Sequence, residues 1–487
     1  MKIRSVRFNF IMNFILTASS IIFPLITFPY ISRVLQATGN GKVAFVTSVL
    51  TYFTMFASLG IPTYGIRACA KVREDKEKLS HTVQELLIIN TITMLFTYIV
   101  FVILLHVIPE FAVEKELMWI NSISLVLNIF GVSWLYNALE QYAYITICSL
   151  VFKVISIIMM FAWVKNPEDY VKYGAITVFA ASGSYVMNFI NMHRYVSLRK
   201  TGTYNFRQHL KPVGIFFATS AAISVYTNLD VVMLRFMKDD AEVGYYNASI
   251  KVKTILVSLI TSLGTVLLPR LSFYVHTKDK AAFHSTIVKA FNFVLVLATS
   301  VTVYFMLFAK ETILVLSGEG YAPAVMPMFL LMPTVLFIGL SNITGIQVLV
   351  PINKEKKVLM SIMYGAILDF ILNLILIPEY GASGAAFATL IAEVVVFIVQ
   401  CIYLRDMLKA IVGELSIVKV LAAVTCSSVV VIWIKGVLIL SPFFIISITG
   451  IIFFVVYFSL LLLMREKFIM SVWNSVWERV KEISKKR

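Results

Sequence analysis

Residues 82–105 read TVQELLIINTITMLFTYIVFVILL, twenty-four residues of which only Glu85 carries a formal charge. At 1.5 Å per residue, a helix of this length crosses the roughly 30 Å hydrocarbon core of a bilayer. A membrane strand needs only about 9–11 residues and shows strict alternation, which this stretch lacks. Working outward, thirteen further segments of span length lie near 8–31, 43–62, 117–137, 142–163, 173–193, 212–236, 244–269, 290–309, 321–344, 358–377, 382–404, 420–437 and 442–464. The reading is an all-α polytopic membrane protein with fourteen transmembrane helices. Composition agrees: 59% of the 487 residues are hydrophobic and 14% charged, with a mean hydropathy of +0.88. Soluble domains run roughly 45–50% apolar and about 25% charged, so cytoplasmic enzymes, secreted modules and disordered tails are excluded. The first apolar run is span-length and contains Pro24 and Pro29, so it is expected to remain as the first span, not as a cleavable signal peptide.

The net charge of +16 has a topological explanation. With the N-terminus in the cytoplasm, thirty of the 42 Lys and Arg residues fall in cytoplasmic segments and eight on the other side, counting Lys435 at its span end. Such asymmetry predicts both termini inside, with no nucleic-acid partner needed to account for the charge. The longest connections, 63–81 and 194–211, are both basic and both on the cytoplasmic side, and neither can hold a soluble catalytic domain. Cys69, Cys148, Cys401 and Cys426 form no close pair, so neither a disulfide framework nor a zinc site is indicated. In the tail 465–487, Ile469, Val472, Trp473, Val476, Val480 and Ile483 recur at helical spacing among Lys and Arg, the pattern of a helix lying on the inner leaflet.

An internal repeat is legible. Ser58-Leu59-Gly60 recurs as Ser262-Leu263-Gly264, and Gly41 as Gly244, at offsets of 204 and 203. Tyr173-Gly174-Ala175 corresponds to Gly384-Ala385-Ala386 at an offset near 210. One register therefore maps spans 1–6 onto 7–12, as parallel repeats around an axis normal to the membrane, a transporter plan. The expected organisation is an N-lobe over 1–200, a C-lobe over 201–410, two further spans over 411–464 and the basic tail 465–487.

The residues then resemble a known family. Phe23-Pro-Leu-Ile-Thr-Phe-Pro-Tyr-Ile-Ser-Arg33-Val-Leu35 with Gly39-Asn-Gly41, and Ser58-Leu-Gly-Ile-Pro-Thr-Tyr-Gly-Ile-Arg67 running into Lys71–Lys78, resemble the first two spans of Wzx-type polysaccharide flippases. Those belong to the multidrug/oligosaccharidyl-lipid/polysaccharide (MOP) exporter superfamily. Ala138–Thr146, Val243–Ala248, Asn373 and Pro378–Ala386 resemble later parts of the same pattern, so the resemblance covers roughly residues 10–405. Gln36-Ala37-Thr38 departs from it, standing where a Gly-Pro-containing turn is expected. The resemblance implies two six-helix lobes forming a V with alternating access to a central cavity. It implies a cargo of polyprenyl-(pyro)phosphate-linked oligosaccharide, moved from inner to outer leaflet, with the last two spans flanking a groove for the polyprenyl tail. It also implies a bacterial cytoplasmic membrane, a monomer, and a polysaccharide polymerase machinery as neighbour.

Moving such a lipid changes no covalent bond, so no nucleophile, metal or organic cofactor is expected, and no P-loop or H-E-x-x-H motif is present. What is needed is a polar path for a phosphate through hydrocarbon. Lys153, about eleven residues into its span and so roughly 17 Å deep, is a candidate for attracting that phosphate; the alternative is a structural pair with a buried acid. Lys251 and Lys253 are further substrate candidates, and Arg33 and Arg67 are candidates for gating or admitting substrate, although headgroup anchoring explains arginines at span ends equally well. The membrane acids are Asp230, Asp369 and Glu393. Asp369 and Glu393 flank the short turn 378–381 at similar depth, with Asn373 one helical turn from Asp369. Two close carboxylates would hold a proton or sodium ion, a candidate coupling site to which Asp230 is added. Pro24 and Pro29 form a candidate gate hinge. Trp134, Tyr136, Tyr142 and Tyr144 either stack on sugars or belong to an interfacial belt. Competing readings are a MurJ-type lipid II flippase, a multidrug or cation antiporter of the same superfamily, and a membrane-embedded glycan polymerase or acyltransferase.

Overall fold

Backbone amides and carbonyls find no water in hydrocarbon, so each segment must satisfy them internally, and these apolar runs do so as helices. A computed structural model describes residues 6–199, 202–471, 473–474 and 477–478; among them there is no strand. Eleven helices are long and apolar enough to cross a membrane. The difference from fourteen has a local cause. Two of the eleven, Ile11–Lys71 and Glu355–Tyr403, each contain two of the expected segments, because the chain turns back at a single residue. The expected sixth span is also helical, over Tyr170–Met192, but is not among the eleven. Its Gly, Ser and Asn residues make it the more polar segment.

By internal contacts the chain forms two compact units, Met1–Asn247 and Ala248–Arg487. The first begins with α1 (Val6–Ser58), in which Pro24 and Pro29 sit in unbroken helix and the one non-helical residue is Gln36, at φ 58°. The Asn40 side-chain amide donates to the Ile31 carbonyl at 3.4 Å, nine residues back. In a straight helix those residues would lie roughly 13.5 Å apart, so the chain has reversed. Leu59 and Gly60, both with positive φ, then lead into α2 (Ile61–Lys71). Asp75 caps α3 (Lys76–Val107) by accepting from the amides of Glu77 and Lys78. After α4 (Pro109–Val113) comes the expected fourth span, which is not continuous. It breaks at 129–132 between α5 (Lys115–Asn128) and α6 (Ser133–Ala138), around Gly131.

Next come α7 (Tyr142–Trp163) and α8 (Tyr170–Met192), joined by a turn in which Asp169 accepts from the amides of Lys165 and Asn166 and pairs with Lys172 at 2.7 Å. The Lys172 ammonium and those amides hold the Asp169 carboxyl down to about 2. The unit is completed by α9 (Arg207–Met237) and the start of α10 (Asp240–His276). Because α9 packs on α1 and α2, the contact boundary falls within α10 and not near residue 200, where the repeat puts the lobe boundary.

The second unit holds the rest of α10, then α11 (Lys280–Leu307), α12 (Ala309–Ser317), α13 (Val325–Asn342) and a π-helical segment Ile343–Leu349. It continues with α14 (Glu355–Tyr403), which reverses at Gly381, α15 (Arg405–Ile411), α16 (Ile417–Val437) and α17 (Pro442–Leu463). Both α16 and α17 pack on α11, where Tyr457 and Tyr304 donate to the carbonyls of Val296 and Ile446 at 2.8 and 2.6 Å. Buried Glu466 accepts from Ser416 at 2.7 Å and caps the tail helix at Ile469. Trp473 and Trp477 are exposed, while Val472, Val476, Val480 and Ile483 lie outside the described residues.

The two glycines matched by the repeat meet in space. A Cβ on Gly41 would strike the backbone of Asp240, and one on Gly244 the backbone of Ala37, so α1 and the start of α10 touch main chain to main chain. Small residues permit such contact between membrane helices. Gly41→Val or Gly244→Val is expected to destabilise the protein by about 2 kcal/mol or more, whereas Gly214→Ala, with nothing within 4 Å, changes stability by under about 1 kcal/mol; denaturation in detergent checks both. At Gln36 a side chain occupies a left-handed φ that glycine adopts without strain, so Gln36→Gly is expected to raise stability by roughly 1 kcal/mol in the same assay.

Candidate functional site

The candidate residues fall into separate groups. In the first unit, Thr146 donates to the Met12 carbonyl at 3.1 Å, Lys153 to the Ser19 hydroxyl at 2.9 Å, and Tyr30 to the Val164 carbonyl at 2.8 Å. All three pairs are 134 residues apart, so the first half of α1 and α7 run parallel in one fixed register. Parallel is what the charge-derived topology requires of spans 1 and 5. This seam presents Lys153 half-way along α7.

The Lys153 ammonium donates to Ser19 and Ser20 at 2.9 and 3.0 Å and lies 5.7 Å from the Phe23 ring centre. No acid pairs with it among the described residues. The alternative of a structural ion pair is therefore not what the structure contains: neutral hydroxyls and an aromatic face solvate this cation and leave its charge uncancelled. Pro24 lies one residue beyond Phe23 and removes the amide that would have bonded the Ser20 carbonyl.

The other candidates have distinct settings. Arg33 is exposed and donates back to the Pro29 carbonyl at 2.6 Å. Asp230 is buried and accepts a short hydrogen bond from the Tyr246 hydroxyl. In the second unit Lys251 and Lys253, both half-buried, form no ion pair among the described residues.

Asp369, Asn373 and Glu393 are all buried on α14. The Asn373 amide donates to Asp369 at 3.3 Å. Across the bend at Gly381, Gly365 packs against Ala392 and Val396, and Gly384 against Leu376. That register sets Asp369 at the level of about residue 391, within roughly one turn of Glu393 on the facing arm.

Trp134 and Tyr136 are core residues, which removes them as sugar platforms. Tyr136 is fully buried, donates to the Asn188 carbonyl at 2.7 Å and stacks on Tyr144. Two features escaped the sequence. One is the π-helical segment, where Thr344 and Ser361 bond Gln400 at 2.5 and 3.0 Å. The other surrounds Glu85, fully buried near the start of α3, which accepts from the Asn205 amide, from Gln208 at 3.0 Å and from His209 at 2.7 Å. With its proton on Nε2 facing the carboxylate, His209 accepts from the Tyr64 hydroxyl through Nδ1 at 2.8 Å. A lone acid among the apolar residues 82–105 was the available signal; its hydrogen-bond partners are 120 and more residues away.

Comparison with known proteins follows from this arrangement. The chain is 24% identical over 413 residues to a protein of Escherichia coli (strain K12) named as an O-antigen transporter, covering 82% of this chain and 97% of that one. Among solved structures, the lipid II flippase MurJ in an inward closed conformation superposes with a TM-score of 0.73 at 15% identity, covering 93% of this chain and 98% of MurJ. An inward-facing multidrug resistance MATE family transporter of the MOP superfamily follows at 0.60 and 12% identity, covering 81% and 99%. These structures share the fold. The family described as polysaccharide biosynthesis protein matches residues 6–275, more than half of the 487, and the chain belongs to that family.

Proposed function

We propose that this protein is a flippase that moves a polyprenyl-(pyro)phosphate-linked oligosaccharide from the inner to the outer leaflet of a bacterial cytoplasmic membrane, for export of a cell-surface polysaccharide. The observation that carries the reading is Lys153: a cation at mid-span, solvated by Ser19 and Ser20 and not neutralised by an acid. A charged side chain at that depth is unfavourable by about 2.5–3.5 kcal/mol or more, so an anion passing by gains what the protein forgoes when empty. A phosphate is such an anion; a cationic drug is repelled. The family and the relative named as an O-antigen transporter support the same cargo class.

In this reading the protein has fourteen spans in two six-helix lobes that alternate access to the cargo. The reversals at Gln36 and Gly381 and the helix Tyr170–Met192 support that number. An inside-negative potential favours outward movement of the anionic head by about 2.3 kcal/mol per charge per 100 mV, so an ion is needed chiefly to return the empty carrier. Asp369 and Glu393, with Asn373, hold that proton or sodium ion.

Depleting the protein is expected to accumulate one completed lipid-linked oligosaccharide, read by mass spectrometry of polyprenyl-linked lipids. Accumulation of lipid II alone makes the cargo lipid II, and an unchanged pool in a host with no second flippase refutes lipid flipping. Lys153→Gln is expected to slow translocation in proteoliposomes about tenfold or more, with Lys153→Arg retaining part of the rate. Asp369→Asn and Glu393→Gln are expected to abolish the dependence of that rate on a proton or sodium gradient; a gradient response equal to the parent's removes the ion from this pair.

A further inference from the structure

The two longest basic loops, far apart in sequence, close around one cavity. It lies in the first unit, has a volume of about 580 Å³, and is lined by Tyr64, Arg67 and Lys71 from α2 and by Gln208, His209 and Lys211 from the first turn of α9. Arg67, Lys71 and Lys211 form no ion pair among the described residues, and no acid lines the cavity.

The carboxylate of Glu85 sits behind the wall, with its oxygens taken by Asn205, Gln208 and His209. It therefore braces the wall without opposing the cations in the cavity. Gln84 adds to the brace by donating to the carbonyls of Ser197 and Arg199 at 2.6 and 2.9 Å, fastening residues 197–199 to α3. The α9 N-terminus carries no side-chain cap, and its positive dipole end adds to the same field. Three like charges held on one concave wall repel each other unless an anion joins them.

A second cavity indicates what kind of anion. An apolar groove of about 660 Å³ runs between α1 and α3, lined by Phe53, Phe56, Leu59, Ile92, Phe96 and Leu104 among others. Thr82 of α3 lines the cationic cavity and Ile92 the groove, so the groove begins roughly 15 Å further along the same helix. Leu59, at the junction of α1 and α2, lines the groove, and Tyr64 of α2 lines the cationic cavity, in the same order.

We infer that the cavity is a docking site for the phosphate or pyrophosphate of a membrane lipid, whose hydrocarbon chain lies in the groove. Charge asymmetry assigns this end to the cytoplasmic side, where a cargo lipid is assembled. Identifying the lipid as cargo rests on the flippase reading; phosphate binding does not. Arg67 forks two hydrogen bonds to one phosphate, and Lys71 and Lys211 neutralise it from either side. Lys153, deeper in the membrane, is the next cation such a head meets.

The test is equilibrium binding of farnesyl pyrophosphate, farnesol and inorganic pyrophosphate to the full chain in nanodiscs. Farnesyl pyrophosphate is expected to bind at least about tenfold more tightly than either fragment, and the triple variant Arg67→Gln, Lys71→Gln, Lys211→Gln to lose at least about tenfold in affinity. Arg67→Lys, which keeps the charge and loses the fork, should bind more weakly than the parent but more tightly than Arg67→Gln, and melting in the nanodisc verifies that every variant is folded. Unchanged binding in the folded triple variant overturns the site. Equal affinity for pyrophosphate and farnesyl pyrophosphate overturns the lipid assignment and makes the ligand a soluble phosphate. Lys153→Gln is expected to keep farnesyl pyrophosphate binding while slowing translocation. A parent protein that binds it in this cavity yet translocates no lipid sinks the flippase reading and leaves the site standing.

Discussion

An ammonium group half-way along a membrane helix must be solvated by the protein or by its ligand, and much of the first unit serves the first alternative. Ser19, Ser20 and Phe23 supply two acceptors and an aromatic face to Lys153. They reach it only because α1 and α7 run parallel in a register pinned at both ends, by Thr146 to Met12 and by Tyr30 to Val164. A slip of one residue along that seam would turn the serines about 100° away from the lysine. The first span is thus a solvating wall whose side chains are ordered by helical pitch. A neutral wall leaves the charge available to an incoming anion, where a carboxylate would consume it.

The same economy recurs at the loop end of the unit, where Glu85 is spent on structure. Its oxygens hold the Asn205 amide, Gln208 and His209, and His209 in turn orients Tyr64. A buried acid satisfied by so many donors fixes the geometry of its neighbours, and the exposed cations Arg67, Lys71 and Lys211 are left to act on solvent or ligand. In the second unit acids take the interior: Asp369 and Glu393 are both buried on α14.

Turns explain where sequence and structure part. A reversal usually needs several residues, so the reading allowed a loop between spans 1 and 2; the chain instead turns on Gln36 alone, with the next helix starting at once. The glycine expected in that turn is absent, and the Gln36 side chain compensates by donating to the Arg33 carbonyl at 2.6 Å. The turn at 378–381 fell where it was expected, because Gly381 supplies the positive φ that ends one helix and begins the next. The fourth span was read as unbroken because hydropathy is continuous across 129–132, and hydropathy is blind to a local change of helical hydrogen bonding.

Helical class, membrane residence and the position of Lys153 half-way along its helix were determined by the sequence alone. Each follows from local quantities: apolar run length, charge count and position along a helix. The match of Gly41 to Gly244 was legible as a repeat, but their main-chain contact was not, since it depends on helices some 200 residues apart. Only the tertiary structure decided that Lys153 faces serines and not an acid, that Trp134 and Tyr136 are core, and that Arg67 shares a cavity with Lys211. Partners at long sequence separation leave no periodic trace; a side chain's environment is set by whichever helix packs against it, and that choice is made in three dimensions.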